Sequence, residues 1–130
     1  MNDITAYLDE IILALVGSPA VTAYEVVRRW VNVDDGYIRV RATLSNGDFL
    51  EAAEYVVLDQ GRLVTEDYRY QWMDGEKKIL RRRWDSTPDW PRLPDAPHHM
   101  HVGDETAVEP GRPLSLLDLV ILLEGEILQS

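Results

Sequence analysis

The sequence predicts an α+β domain: an antiparallel meander of about five strands with a helix from each end of the chain packed on it. Three observations predict it. Apolar residues near both ends repeat with helical spacing. Between them, turn-forming dipeptides cut the chain about every ten to fourteen residues, and the runs separating those turns are rich in β-branched and aromatic side chains. The chain reads as one domain, residues 1–130, divided into an N-terminal helix (1–17), a β-meander (21–85), a proline-rich loop with a histidine cluster (86–113) and a C-terminal helix (114–128).

In the first helix, Ile4, Tyr7, Leu8, Ile11, Ile12 and Leu15 fall on one face, with Asn2 or Asp3 as N-cap, and Gly17, Ser18 and Pro19 stop it. The meander is punctuated at Asp35-Gly36, Asn46-Gly47, Gln60-Gly61 and Asp74-Gly75. Ile38, Val40, Ala42 and Leu44 alternate with Tyr37, Arg39, Arg41 and Thr43, giving that strand one buried and one wet face. In the fourth strand Tyr68, Tyr70 and Trp72 share a face. A three-residue hairpin loop, Asp74 to Glu76, sets Tyr70 opposite Leu80 and Arg69 opposite Arg81, and joins those aromatics with Leu80 and Trp84 into one apolar surface.

Pro88, Pro91, Pro94, Pro97 and Pro110 make the next segment extended or irregular, not helical. After Pro113, Ser115 and Asp118 form a capping-box-like start. Leu116, Leu119, Val120, Leu123 and Ile127 then form one helical stripe, and Leu117, Ile121 and Leu128 a second. Two apolar stripes place this helix between the core and something else, either the first helix or another chain.

The formal net charge of −10 opposes non-specific attraction to phosphate backbones. The charge is uneven, however: residues 62 to 92 hold eight Lys or Arg against six acids. The lack of cysteine excludes thiolate catalysis and zinc–thiolate sites. No GxGxxG, P-loop, GxSxG or EF-hand pattern occurs, so dinucleotide enzymes, P-loop ATPases and α/β-hydrolases find no support. No apolar run reaches membrane-spanning length, and the N-terminal residues carry no positive segment of a signal peptide; the expectation is a cytoplasmic protein without membrane association.

All three histidines, His98, His99 and His101, lie in "DAPHHMHVGDE". In an extended segment His99 and His101 project to one side and His98 to the other. Three readings stand open: a metal site completed by Asp95, Asp104 or Glu105; an acid–base pair that cleaves RNA through its own 2′-hydroxyl without metal or other cofactor; or a brace that holds the loop by hydrogen bonds. The run "EKKILRRRW" reads either as a phosphate grip, with Arg81 and Arg83 on one side and Arg82 on the other, or as a charged edge strand. Tyr68, Tyr70 and Trp72 fit a core row better than a base-stacking one. Trp90, between prolines, covers the loop or meets a partner.

The string "YRYQWMDGEKKILRRRWD", followed by "PHHMHVGDE", resembles the TumE toxin family, most densely from Tyr68 to Glu105. The resemblance implies a small cytosolic toxin, neutralised by a helix-turn-helix antitoxin, whose act by family analogy is cleavage of RNA. Tyr68, Arg69, Tyr70, Trp72, Trp84, Asp85, His98, His99 and His101 are the matched positions. The chain departs from the family pattern in "DSTPDWPRL", where Asp89 and Trp90 stand in place of a first histidine pair, and at Met100, where lysine is common.

Together these readings give a toxin-like protein in which His99 and His101, with His98, exchange protons, Arg69 and Arg83 steady a phosphate and Tyr70 positions the substrate. Arg81, Trp72, Trp84 and Asp85 complete the expected substrate contacts, and a homodimer through the C-terminal helix is expected. The rival is a non-catalytic module that binds a partner protein.

Overall fold

The computed structural model describes residues 3–86, 99–102, 108–110 and 114–128. In chain order the elements are α1 (Asp3–Gly17), β1 (Val21–Val31), β2 (Asp35–Leu44), β3 (Phe49–Asp59), β4 (Arg62–Met73), β5 (Leu80–Asp85), β6 (His99–Val102), β7 (Val108–Pro110) and α2 (Leu116–Leu128). All seven strands form one sheet in sequence order, and every neighbouring pair is antiparallel. The five expected strands are present. The proline-rich segment adds β6 and β7 at the far edge.

Alternation decides which face is covered. Ile38, Val40, Ala42 and Leu44 of β2, Leu50, Ala52 and Val56 of β3, and Tyr68, Tyr70 and Trp72 of β4 are buried under the helices. Against them α1 lays Ile4, Leu8, Ile11 and Leu15, and α2 lays Leu116, Leu119, Val120, Leu123 and Ile127, the expected stripes of both helices. Ser115 caps α2 reciprocally with Asp118: the Asp118 amide donates to Ser115 Oγ at 3.1 Å and the Ser115 amide to Asp118 Oδ2 at 3.4 Å.

A carboxyl side chain sits inside this core. Glu54 is in phase with Leu50, Ala52 and Val56 and is 0% exposed. Its carboxylate accepts the Tyr7 hydroxyl at 2.8 Å, the Thr65 hydroxyl at 2.6 Å and the Leu116 amide at 3.1 Å, so it ties α1, β4 and the start of α2 to β3. Satisfying three donors offsets much of the cost of burying it.

Two turns differ from expectation. Asp35 and Gly36 belong to β2; the β1–β2 turn is Asn32–Asp34, closed by the Asn32 amide donating to Asp35 O at 2.8 Å. Gly36 serves packing instead, because a Cβ there would lie 2.4 Å from Ile4 Cγ2. The β4–β5 loop spans residues 74–79, not three residues. Asp74 Oδ1 accepts the amides of Lys78 and Ile79 at 2.7 and 2.8 Å, and Lys77 takes a φ of 62°. Tyr70 therefore opposes Trp84 and Arg69 opposes Asp85, a correction to the pairs expected from a tighter loop. The difference between the two registers is an even number of residues, so Tyr68, Tyr70, Trp72 and Trp84 still share the buried face. Gln60 (φ 52°) and Gly61 (φ 77°) form the β3–β4 turn, as their dipeptide predicts.

Candidate functional site

No described helix covers the other face of the sheet, and its residues line up in ladder rows. One row runs Arg28, Arg39, Ala53, Arg69, Asp85 and His99 from β1 to β6. The next runs Arg41, Glu51, Gln71, Arg83 and His101 from β2 to β6. On the other side of the first row, Trp30 opposes Tyr37, Tyr37 opposes Tyr55, and Tyr55 opposes Asp67. Directly opposed residues of an antiparallel pair share a face, so these rows form one surface.

That surface holds an open hollow of about 580 Å³. Ala53 lies within it because its side chain ends at Cβ, leaving a gap between Arg39 on one neighbouring strand and Arg69 on the other. Glu51 is partly buried, which works against its charge. Hydrogen bonds from Arg41 Nε at 2.9 Å and Arg39 Nη2 at 2.6 Å nevertheless hold its carboxyl below the usual range. The aromatic wall is braced: Trp30 stacks on Tyr37 with centroids 5.9 Å apart, leans on Tyr55 at 6.1 Å, and the Tyr55 hydroxyl donates to Asp35 Oδ2 at 2.8 Å. That bond to a carboxylate raises the Tyr55 phenol above its ordinary value.

The structure brings together some of the expected site residues and separates others. Register sets His101 opposite Arg83 and His99 opposite Asp85. Arg69 is exposed beside the hollow. Arg83 and Asp85 are buried, 8% and 3% exposed, with Arg83 Nε 3.3 Å from Asp85 Oδ2, so Arg83 is an internal ion-pair partner and not an open phosphate grip. Tyr70 is likewise no substrate contact: it is 0% exposed under the helices and its hydroxyl donates to Leu114 O at 2.9 Å. Trp72 and Trp84 belong to the same core, and Trp72 Nε1 donates to the buried Asp48 Oδ2 at 2.9 Å.

Arg81 and Arg83 do not act together, because an irregularity in the ladder between Trp72 and Met73 takes Arg81 out of alternation. Arg81 Nε lies 3.4 Å from Asp48 Oδ2, while Arg82 bonds Glu126 of α2 and lies over the Trp72 ring. His98, Trp90, Asp95, Asp104 and Glu105 lie outside the described residues. Among the described residues no three His, Asp or Glu side chains converge as a metal-ligand set.

Reading the sequence misses the hollow itself. Tyr37 and Arg39 are visible as the wet face of β2, but Trp30, Ala53 and Tyr55 join them only through strand pairing. A sheet covered by helices on one face and carrying guanidinium and aromatic rows on the other defines an α+β protein whose second sheet face is polar and aromatic. The chain belongs to the TumE toxin family: the family model described as "Toxin TumE" matches residues 8–129. It is a toxin of that family, and membership implies an antitoxin partner. Searches of curated proteins and of solved structures find no match. No described helix is long and apolar enough to cross a membrane.

Proposed function

We propose that this toxin acts on RNA, with the sheet face opposite the helices as the binding surface and His99 and His101 as the acid–base pair. The observation that carries the reading is the ladder register: both histidine positions continue the rows that hold Arg69 and Gln71. In the reaction, one imidazole takes the proton of a ribose 2′-hydroxyl and the 2′-oxygen attacks the adjacent phosphorus. The other imidazole protonates the departing 5′-oxygen, leaving a 2′,3′-cyclic phosphate. Arg69 offsets charge on the non-bridging oxygens. Arg83 and Asp85, at the register positions of the two histidines, are positioning residues. No metal is required for this chemistry.

Purified, antitoxin-free protein is expected to cleave single-stranded RNA in the presence of chelator. His99→Ala with His101→Ala is expected to lower the rate by about 10²-fold or more. RNA left intact by the wild type sinks the reading, and activity lost on chelation replaces it with a metal-dependent one.

A second reading, a non-catalytic module that acts by binding protein, is favoured by the apolar surface of the helix layer. Leu13 and Val16 of α1 are 69% and 62% exposed, and Ile121 and Leu128 of α2 are 67% and 49% exposed. In the nuclease reading the same surface receives the helix-turn-helix antitoxin, leaving the sheet face to RNA.

A further inference from the structure

We propose that the hollow over Ala53 is a subsite for single-stranded RNA, in which a nucleobase stacks on the Tyr37–Tyr55 wall and its phosphate sits between Arg39 and Arg69. The inference rests on the reading of the chain as an RNA-acting toxin and names the form of RNA and the residues that hold it. Adjacent strands are about 4.8 Å apart, so Arg39 and Arg69, each one strand away from Ala53, flank a gap of about 10 Å between backbones. Long guanidinium side chains reach an anion across that gap from both sides.

The row supports an anion in a second way. Arg28 and Arg39 are directly opposed like charges, an arrangement that costs stability unless a negative group is nearby. Glu51 supplies one carboxylate to Arg39 but shares it with Arg41, and the other carboxylate lining the hollow, Asp67, accepts the Ser86 hydroxyl. A bound phosphate adds a negative group between Arg39 and Arg69, neither of which has a carboxylate to itself on that stretch.

The aromatic wall selects the strand form. Tyr37 and Tyr55 line the hollow and are half-buried, and Trp30 braces both rings from behind, so a base stacking there orders little that is not already fixed. Such stacking needs the π-face of an unpaired base, which a duplex hides. The hollow, about 580 Å³, is of the size that holds a small ligand, not a helix of RNA.

The test uses the full chain and fluorescein-labelled hexauridylate, 2′-O-methylated so that its 2′-oxygen cannot attack, with binding read by fluorescence anisotropy. Expected is binding that weakens with salt at a log–log slope of about −0.7 or steeper, as for one neutralised phosphate or more. Ala53→Leu fills the hollow without touching a charge and is expected to weaken binding about tenfold or more, and Tyr37→Ala about fivefold or more. Ala53→Val, a β-branched residue suited to a strand, makes the same block should the leucine variant melt early.

Binding unaffected by either substitution at Ala53, equal binding of an RNA duplex, or no binding of the single strand overturns the subsite. The two proposals fail differently: unmodified hexauridylate that is bound but never cut removes the acid–base mechanism alone, whereas cutting that Ala53→Leu leaves unchanged removes the subsite alone.

Discussion

Glu54 is the buried residue at which hydrogen bonds from α1, β4 and α2 meet, and its titration is testable. Burial, the largest influence, outweighs the bonds from Thr65, Tyr7 and the Leu116 amide and raises its carboxyl above the ordinary value; the nearby Asp118 acts in the same direction. A raised carboxyl stabilises the fold fully below its unfolded value, about 4.3, and that contribution is lost as pH climbs through the folded value. Urea midpoints of wild type and Glu54→Gln are therefore expected to converge, or to cross, as pH rises from about 4 to 8; parallel curves would show that the group does not titrate on folding. Glu54→Leu strands three donors and is expected to cost about 2–4 kcal/mol at neutral pH. Tyr70→Phe removes one buried bond, to Leu114 O, and is expected to cost about 0.5–1.5 kcal/mol while leaving toxicity unchanged. Toxicity lost at full stability would return Tyr70 to the site.

At the scale of elements, the approach of α1 to the sheet depends on a missing side chain. Ile4 is 0% exposed, and the atom that a Cβ on Gly36 would meet is Cγ2, a methyl on its branched Cβ, which is held to one χ1 rotamer in a helix and so cannot readily swing aside. Gly36→Ala is expected to destabilise the protein by about 1–3 kcal/mol, seen as a lower midpoint in chemical denaturation; an unchanged midpoint would mean that α1 shifts freely on β2. The same dipeptide shows why turn chemistry misleads. Asp-Gly is a hairpin-turn sequence, but glycine also serves close approach, and only the position of α1 tells the two uses apart. Gln60-Gly61, with no helix competing for it, is read correctly.

For the molecule as a whole, the two faces of the sheet differ in polarity. The helix layer carries exposed Leu13, Val16, Ile121 and Leu128, which supports a protein contact there; self-association through α2 is one form of it. Ile121→Lys is expected to abolish any concentration-dependent self-association in sedimentation velocity, with the unfolding free energy within about 0.5 kcal/mol of wild type because the position is exposed. Association that persists in this variant moves the contact away from α2. The sheet face is more polar, and the basic row at Arg28, Arg39 and Arg69 is offset elsewhere by the acids that give the chain its net charge of −10. Arginines grouped on one face of an acidic body suit a ligand held at one place rather than along the whole surface.

The sequence by itself determined the helices, the five-strand meander and the buried face. These follow from spacing: Ile4, Leu8, Ile11 and Leu15 on one, Ile38, Val40, Ala42 and Leu44 on the other, each a local period that the backbone must obey. Tertiary structure alone decided which polar residues meet. Asp74 bonded two amides, lengthened its loop and so moved Arg69 from Arg81 to Asp85, and Glu54 stayed inside the core because donors from three elements reached it. Pairing between distant strands then set Trp30, Tyr37, Arg39, Ala53 and Arg69 around one hollow. Side-chain period is local and survives a register shift of even length, whereas the partner of any one residue depends on loop length and on the helix packed behind it.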